Sequence, residues 1–400
     1  MTASESMRFQ VQCLACAIAA MLPPPAYASG GISFQEPRVF SLDASDRLSL
    51  VFSGDWNGDG RIDLAAKDGQ RLWILEGDGA GNFGKPMELP VGNAVQIAAV
   101  DLNGDGRTDL LVYRCTDDEP TCRPFGEFAA FLSEGDLHFA PPIRFRPRVS
   151  TAQGPPGGPY ILGFVVADLN RDGVPDLLLT LNPPGRDSVL LGRGDGTFAD
   201  PVPGPYTFNL VGLADFNADG IQDVLTLGFY ADAPQIYYGR GDGSFDNPAG
   251  IDICSGCWMQ IIDADSDGMP DLLAGDASWY WVGNMRIFRG DLQGGFLLWS
   301  SLPDSIVGDD RQGFKLVFAD LNGDKISDLF RLRTWFVDDG SDNVAGAYIG
   351  DGAGLFSPSV EIVLPYLGQA ALADVNGDGL PDIVATDGGR KLLVIINTSK

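Results

Sequence analysis

A nine-residue acidic segment recurs seven times along the chain, and no other feature restricts the possible folds as strongly. The copies read DWNGDGRID from Asp55, DLNGDGRTD from Asp101, DLNRDGVPD from Asp168, DFNADGIQD from Asp215, DADSDGMPD from Asp263, DLNGDKISD from Asp320 and DVNGDGLPD from Asp374. Asp stands at positions 1, 5 and 9 of each, Asn or Asp at 3, and Gly at 6 in all but the sixth. Such spacing suits oxygen coordination of a hard cation. Alternate residues of a tight loop turn carboxylate and amide oxygens inward, and glycine permits the sharp bend. Three carboxylates, an amide and a backbone carbonyl fit calcium better than magnesium, which prefers a smaller shell that keeps its waters.

The expected ligands of the first loop are Asp55, Asn57, Asp59, the carbonyl of Arg61, and Asp63. In the second they are Asp101, Asn103, Asp105, Arg107 and Asp109, and in the third Asp168, Asn170, Asp172, Val174 and Asp176. The fourth offers Asp215, Asn217, Asp219, Ile221 and Asp223, and the fifth Asp263, Asp265, Asp267, Met269 and Asp271. The sixth has Asp320, Asn322, Asp324, Ile326 and Asp328, and the seventh Asp374, Asn376, Asp378, Leu380 and Asp382. Up to seven calcium ions are expected. The sixth loop is the weakest candidate, since Lys325 replaces the glycine at position 6. An EF-hand is excluded because no copy has Glu at position 12. A metal-free Asn/Asp-Gly turn is the bland alternative, but it does not require acids at 1, 5 and 9 together.

The flanks are short apolar and β-branched runs: VQIAAV before Asp101, LLVY after Asp109, VLTL after Asp223 and IVAT after Asp382. These predict strands on both sides of each loop. Further on lie glycine turns that feed an aromatic, EGDGAGNFGKP, GRGDGTFADP, GRGDGSFDNP and GDGAGLFSPS, which predict hairpins. Each repeat of roughly 50 residues therefore supplies four antiparallel strands, one blade of a β-propeller. The fold class is all-β, a seven-bladed β-propeller of four-stranded antiparallel blades. Its last repeat stops after the strand LLVIIN, and the missing F-x-x-P piece sits at the other end, Phe34 to Pro37. Residues 32–42 are thus expected to close the ring as the outer strand of blade seven.

Ahead of the repeats, Arg8 precedes the apolar run Val11 to Leu22, prolines break it at 23–25, and Ala26-Tyr27-Ala28 offers a signal-peptidase pattern. The expected organisation is a signal peptide at 1–28 and the propeller at 29–400, secreted or periplasmic, with no membrane insertion after cleavage. The mature chain keeps Cys115, Cys122, Cys254 and Cys257. Two local disulfides, 115 with 122 and 254 with 257, are the economical pairing, while crossed pairings stay open.

These repeats resemble the FG-GAP or VCBS-type repeats of integrin alpha chains and many exported bacterial proteins, and the resemblance covers nearly all of residues 31–400. It implies calcium in the D-x-[DN]-x-D-G-x-x-D loops. It leaves function open, since similar propellers serve as adhesion heads, as lectins and as frames of polysaccharide lyases.

With 54 acidic against 27 basic residues, a formal charge of −27, the chain repels nucleic acid and anionic lipid. A single histidine, His138, excludes multi-histidine metal sites, and its turn beside Phe139 reads as solvated surface. Up-and-down topology puts the acidic loops and glycine hairpins on one face. The insertions Cys115 to Gly126, Arg146 to Pro159, Ala277 to Asn284, Asp304 to Gln312 and Thr334 to Asn343 fall on the other. Trp279, Tyr280, Trp281, Trp335 and Phe336 lie in them, suited to stacking on sugar rings or anchoring a protein. The Arg-Gly-Asp triplets at 193–195, 240–242 and 289–291 read as hairpin chemistry with incidental arginine. The expected function is a non-catalytic binding or adhesion module for a protein or glycan partner, with a carbohydrate lyase or hydrolase as the alternative.

Overall fold

The computed structural model describes residues 31–115, 126–148, 161–182, 186–207, 209–227, 233–254, 257–278, 281–303, 306, 314–333, 343–364 and 369–399. The expected signal peptide lies outside them. Seven four-stranded antiparallel sheets form a β-propeller. Blade one consists of Leu48–Gly54, Asp63–Asp68, Arg71–Leu75 and Met87–Pro90. Blades two to six repeat this order, starting from the inner strands Ala94–Val100, Ile161–Ala167, Asn209–Ala214, Trp258–Ile262 and Phe314–Ala319.

Blade seven closes the ring as the F-x-x-P argument requires. Its strands Ala370–Ala373, Asp382–Thr386 and Lys391–Ile395 are completed by Arg38–Ser41, with Val39 opposite Leu393. Phe34 bridges Asn397 just as Phe83, Phe198 and Phe245 bridge Gly77, Gly192 and Gly239 in their own blades.

Burial follows from position in the ring. A second strand has sheet neighbours on both sides and blades on both faces, so it reads as a continuous apolar run, as in the wholly buried Asp176–Leu181. Outer strands alternate, as in Met87–Pro90. Among the described residues the core divides into seven clusters, one for each blade interface. The last of these in the circle joins Leu48, Val51 and Leu64 of blade one to Val384, Leu392 and Val394 of blade seven. Among the described residues inner strands do not pair across blades, but Gln96 substitutes for a peptide there. Its amide donates to Phe164 O at 2.7 Å and accepts from Phe164 N at 3.0 Å.

The strand ends that flank all five expected insertions lie on the face opposite the acidic loops. One expectation changes. Residues 277–278 and 281–284 of the expected insertion extend the second and third strands of blade five, which stay paired as far as Ser278 and Trp281. Trp279, Tyr280, Trp335 and Phe336 lie outside the described residues. Cys254 and Cys257 form a disulfide with Cα atoms 6.0 Å apart. Cys115 is also disulfide-bonded, and Cys122 lies outside the described residues. Among the described residues no helix is long and apolar enough to cross a membrane.

Candidate metal-binding loops

Each acidic segment joins the inner strand of a blade to its second strand, and the Asp at position 9 is the first residue of that second strand. In loop one the Asp55 carboxylate caps the turn. Its Oδ1 accepts from Gly58 N at 2.7 Å and Asp59 N at 3.2 Å, and its Oδ2 from Gly60 N at 2.8 Å. Asn57 Oδ1 then accepts from Asp59 N, and Asp59 Oδ1 from Arg61 N. These successive side-chain turns are what Asp and Asn do best locally. Loops two, six and seven repeat the Asp capping bonds.

The turn needs two left-handed residues, not one. Position 4 has positive φ as well as position 6, and it is occupied by Gly in four loops but by Arg171, Ala218 and Ser266 in the others. Lys325 adopts the glycine conformation at φ 68°, and its N–H still reaches Asp320 Oδ2 at 2.8 Å. Loop six therefore keeps the shared geometry despite the substitution.

Position 9 lies beneath the mouth of the loop and holds it to the blade. Asp63, Asp109, Asp176, Asp223, Asp271, Asp328 and Asp382 are all fully buried. In each, Oδ2 accepts from the backbone N–H of position 2 and Oδ1 from a backbone N–H at the end of the third strand. An ionised carboxylate has about four acceptor sites, so these two bonds leave capacity for a cation. Burial pushes six of the carboxyls up to about 6 and raises Asp176 too. The backbone bonds oppose that shift, and the carboxylates at positions 1 and 5 add to it.

The third-strand donor is Gly77, Gly192, Gly239, Gly290 or Gly350 in five blades, Ser133 in the second and Asn397 in the seventh. A side chain at the glycines would overlap the carbonyl of position 8 in the loop below. Ser133 and Asn397 instead put hydrogen-bonding groups there, which reach the position-2 carbonyls of the preceding blade, Trp56 O and Leu321 O. Hydroxyls at position 8 likewise tie neighbouring loops. Asp55 N donates to Thr108 Oγ1, and Ser327 Oγ donates to Asp263 O. Thr or Ser at position 8 is visible in the sequence, but its partner is not, because the tie depends on how neighbouring blades pack.

In six loops the Asn at position 3 donates its amide to Oδ2 of the Asp at position 5, at 2.8 to 3.1 Å. Loop five has Asp265 instead, and its carboxylates at positions 1, 3 and 5 converge, with oxygens of Asp263, Asp265 and Asp267 within 4.8 Å of one another. Asp263 Oδ1 is buried and accepts no hydrogen bond. Oxygen donors with an orphaned buried carboxylate oxygen fit a hard divalent cation.

The arginines of the three Arg-Gly-Asp triplets differ in role. Arg193 donates to Phe198 O and Arg240 pairs with Asp246, both within their hairpins. Arg289 instead spans loop five, with Nε 2.5 Å from Asp265 Oδ2 and Nη2 3.0 Å from Asp267 Oδ2. It is not incidental. The difference is one of register: Arg289 precedes the clamped Gly290, whereas Arg193 and Arg240 follow theirs.

The FG-GAP-like repeat family matches at residues 55–112, 168–226 and 215–274. No curated protein matches the chain. Among solved structures, an Agrocybe aegerita lectin described for specific recognition of non-reducing terminal N-acetylglucosamine is similar, with TM-score 0.58 and 16% identity over 80% of this chain and 81% of that one. A protein from Lactobacillus plantarum is similar at TM-score 0.51 and 14% identity, covering 85% and 88%. These likenesses concern the fold. With FG-GAP-like repeats matched in these three stretches and seven four-stranded blades closed into a ring, the chain is a β-propeller that carries FG-GAP-like repeats.

Proposed function

We propose that this propeller is an exported, calcium-stabilised, non-catalytic module that binds a protein or glycan partner through the face opposite its acidic loops. The observation that carries the reading is the division of the ring into two faces. One face holds seven loops of shared construction, and the other holds the strand ends from which every insertion departs. A rigid frame with its long loops gathered at one end is the usual arrangement of a binding surface. The similarity to a glycan-recognising lectin propeller favours a glycan over other partners.

Calcium would be held by the side chains at positions 1, 3, 5 and 9 and the carbonyl of position 7 in each loop. It would supply positive charge to carboxylates that otherwise repel one another. At ten times Kd each site adds roughly 1.4 kcal/mol, so several filled sites rival the net stability of a domain.

A polysaccharide array probed with the purified chain, followed by reducing-end and unsaturated-product assays on each retained glycan, tests the partner. Saturable retention without products supports the module; turnover would make it an enzyme. Melting in calcium against a chelator tests the metal. A substantially lower midpoint in chelator is expected, and identical melts would remove calcium from the account.

A further inference from the structure

We propose that Arg289 is the resident counter-cation of loop five. It takes over the work of the missing position-3 amide and holds down the loop's affinity for divalent metal. The metal half of this inference rests on the calcium reading above; the ion-pair half does not.

The argument begins with what loop five lacks. Six loops place an Asn amide N–H on Oδ2 of the position-5 carboxylate. Asp265 has no such donor and brings a fourth carboxylate to a loop that already holds Asp263, Asp267 and Asp271. Left alone, the loop would hold three like charges with oxygens within 4.8 Å of one another, a grouping that no other acidic loop makes among the described residues. Arg289 meets both deficits. Its Nη2 donates to Asp267 Oδ2, the oxygen that the amide serves elsewhere. Its Nε makes ion-pair contact with Asp265, whose side chain is only 5% exposed and whose Oδ2 has no hydrogen bond. The guanidinium cannot deprotonate, so the compensation is permanent.

The placement is particular to this blade. The residue just before the clamped third-strand position is Glu76, Leu132, Leu191, Tyr238, Arg289, Ile349 and Ile396 in blades one to seven. Blade five alone has a cation there. In blade one the same position carries the opposite charge, and Glu76 Oε1 accepts from Asn57 Nδ2 at 3.3 Å. That contact confirms that a side chain at this position reaches position 3 of the loop below. Loop five with Arg289 thus has the net charge of an ordinary three-carboxylate loop. A divalent ion entering it must compete with a tethered cation.

The test is a cycle in the full chain of Arg289→Met, Asp265→Asn and the double variant, with Asp263→Ala as a chain in which loop five is disabled. In chelator, Arg289→Met should melt clearly below the parent, and adding Asp265→Asn should restore the melt, because that loop then matches the other six. An unchanged melt for Arg289→Met, or no rescue by Asp265→Asn, overturns the ion-pair half. Calcium titrations, each read as the difference from Asp263→Ala, should show loop five of Arg289→Met binding on the order of tenfold tighter than in the parent. Equal midpoints overturn the metal half. Absence of calcium binding in every chain, parent included, overturns the metal half together with the calcium reading, while the chelator melts still decide the ion pair.

Discussion

Replacing Gly239 by alanine tests whether the buried position-9 carboxylates hold loop to blade through the backbone, as the geometry requires. A Cβ at Gly239 would lie 2.5 Å from Gln222 O and 2.6 Å from Ile221 Cγ2. The nearer atom belongs to the backbone and cannot swing aside. The third strand must then retreat on the order of 1 Å, which stretches the 2.8 Å bond from Gly239 N to Asp223 Oδ1 beyond hydrogen-bonding range. Overpacking of this kind costs about 1–3 kcal/mol. Losing a bond to a buried, charged acceptor adds about 1.5–3 kcal/mol. A loss of roughly 4 kcal/mol is therefore expected, a fall of several degrees in the thermal midpoint of a chain this large. The loss should be of similar size in calcium and in chelator, since the clamp acts without metal. The control is Gly241→Ala, at φ 71° in the same hairpin, where strain alone should cost about 1–2 kcal/mol. Calorimetric melts of the parent and both variants decide the matter. A Gly239→Ala chain within about 1 kcal/mol of the parent, or one destabilised only when calcium is present, would refute the clamp.

Three further outcomes are expected. Ala218→Gly, at φ 57° in loop four, should stabilise the chain by about 0.5–1 kcal/mol, the relief of left-handed strain less the added freedom of the unfolded state. A lower melting temperature would count against the strained turn. Asp187, buried in blade three and accepting from Leu181 N, Thr207 N and Thr207 Oγ1, is pushed up to about 7 by burial. Its native pKa exceeds its unfolded value, so the folded chain binds the extra proton and this contribution to stability falls as pH rises through 7. The change is on the order of 1 kcal/mol between pH 6 and 8, and it should vanish from the pH dependence of melting in Asp187→Asn. Removing residues 32–42 takes away Ile32, Phe34 and Leu42 from two interblade clusters, along with the strand paired to Lys391–Ile395. The truncated chain should lose cooperative unfolding; a sharp melt like that of the parent would contradict the closure.

Much of this architecture was legible because the motif has a period that only a ring of blades satisfies. The strand starts, the seven blades and the return of the amino terminus to blade seven all follow from spacing, since strand pairing leaves few places for Phe34 once the last repeat lacks its own aromatic turn. The candidate loops were legible for the same reason. What spacing does not carry is depth. Asp63 and Asp59 are the same residue type in one motif, yet one is fully buried under two backbone N–H groups and the other lies at the surface beside Arg61. Burial of position 9 arises only when the next strand packs over it. The role of Arg289 is hidden by register, because triplets of identical sequence begin one residue before or after the clamped glycine, and only strand pairing reveals which.

The acidic motif therefore performs two separable tasks. Position 9 serves the fold first, its two oxygens stitching the turn to the third strand in all seven blades whether or not an ion is near, with acceptor capacity left for one. Positions 1, 3 and 5 line the loop and meet whatever differs between loops: Arg61 and Arg107 against their own position-5 carboxylates, Arg289 against an extra one, Glu76 beside Asn57. Coulomb energies fall off over a few ångströms near a surface, so each of these neighbours acts mainly on its own loop. A ring that is seven-fold in its clamps is thus not seven-fold in its charge. With calcium bound as proposed, the loops should fill in sequence rather than together, with loop five distinguished by the guanidinium already in place.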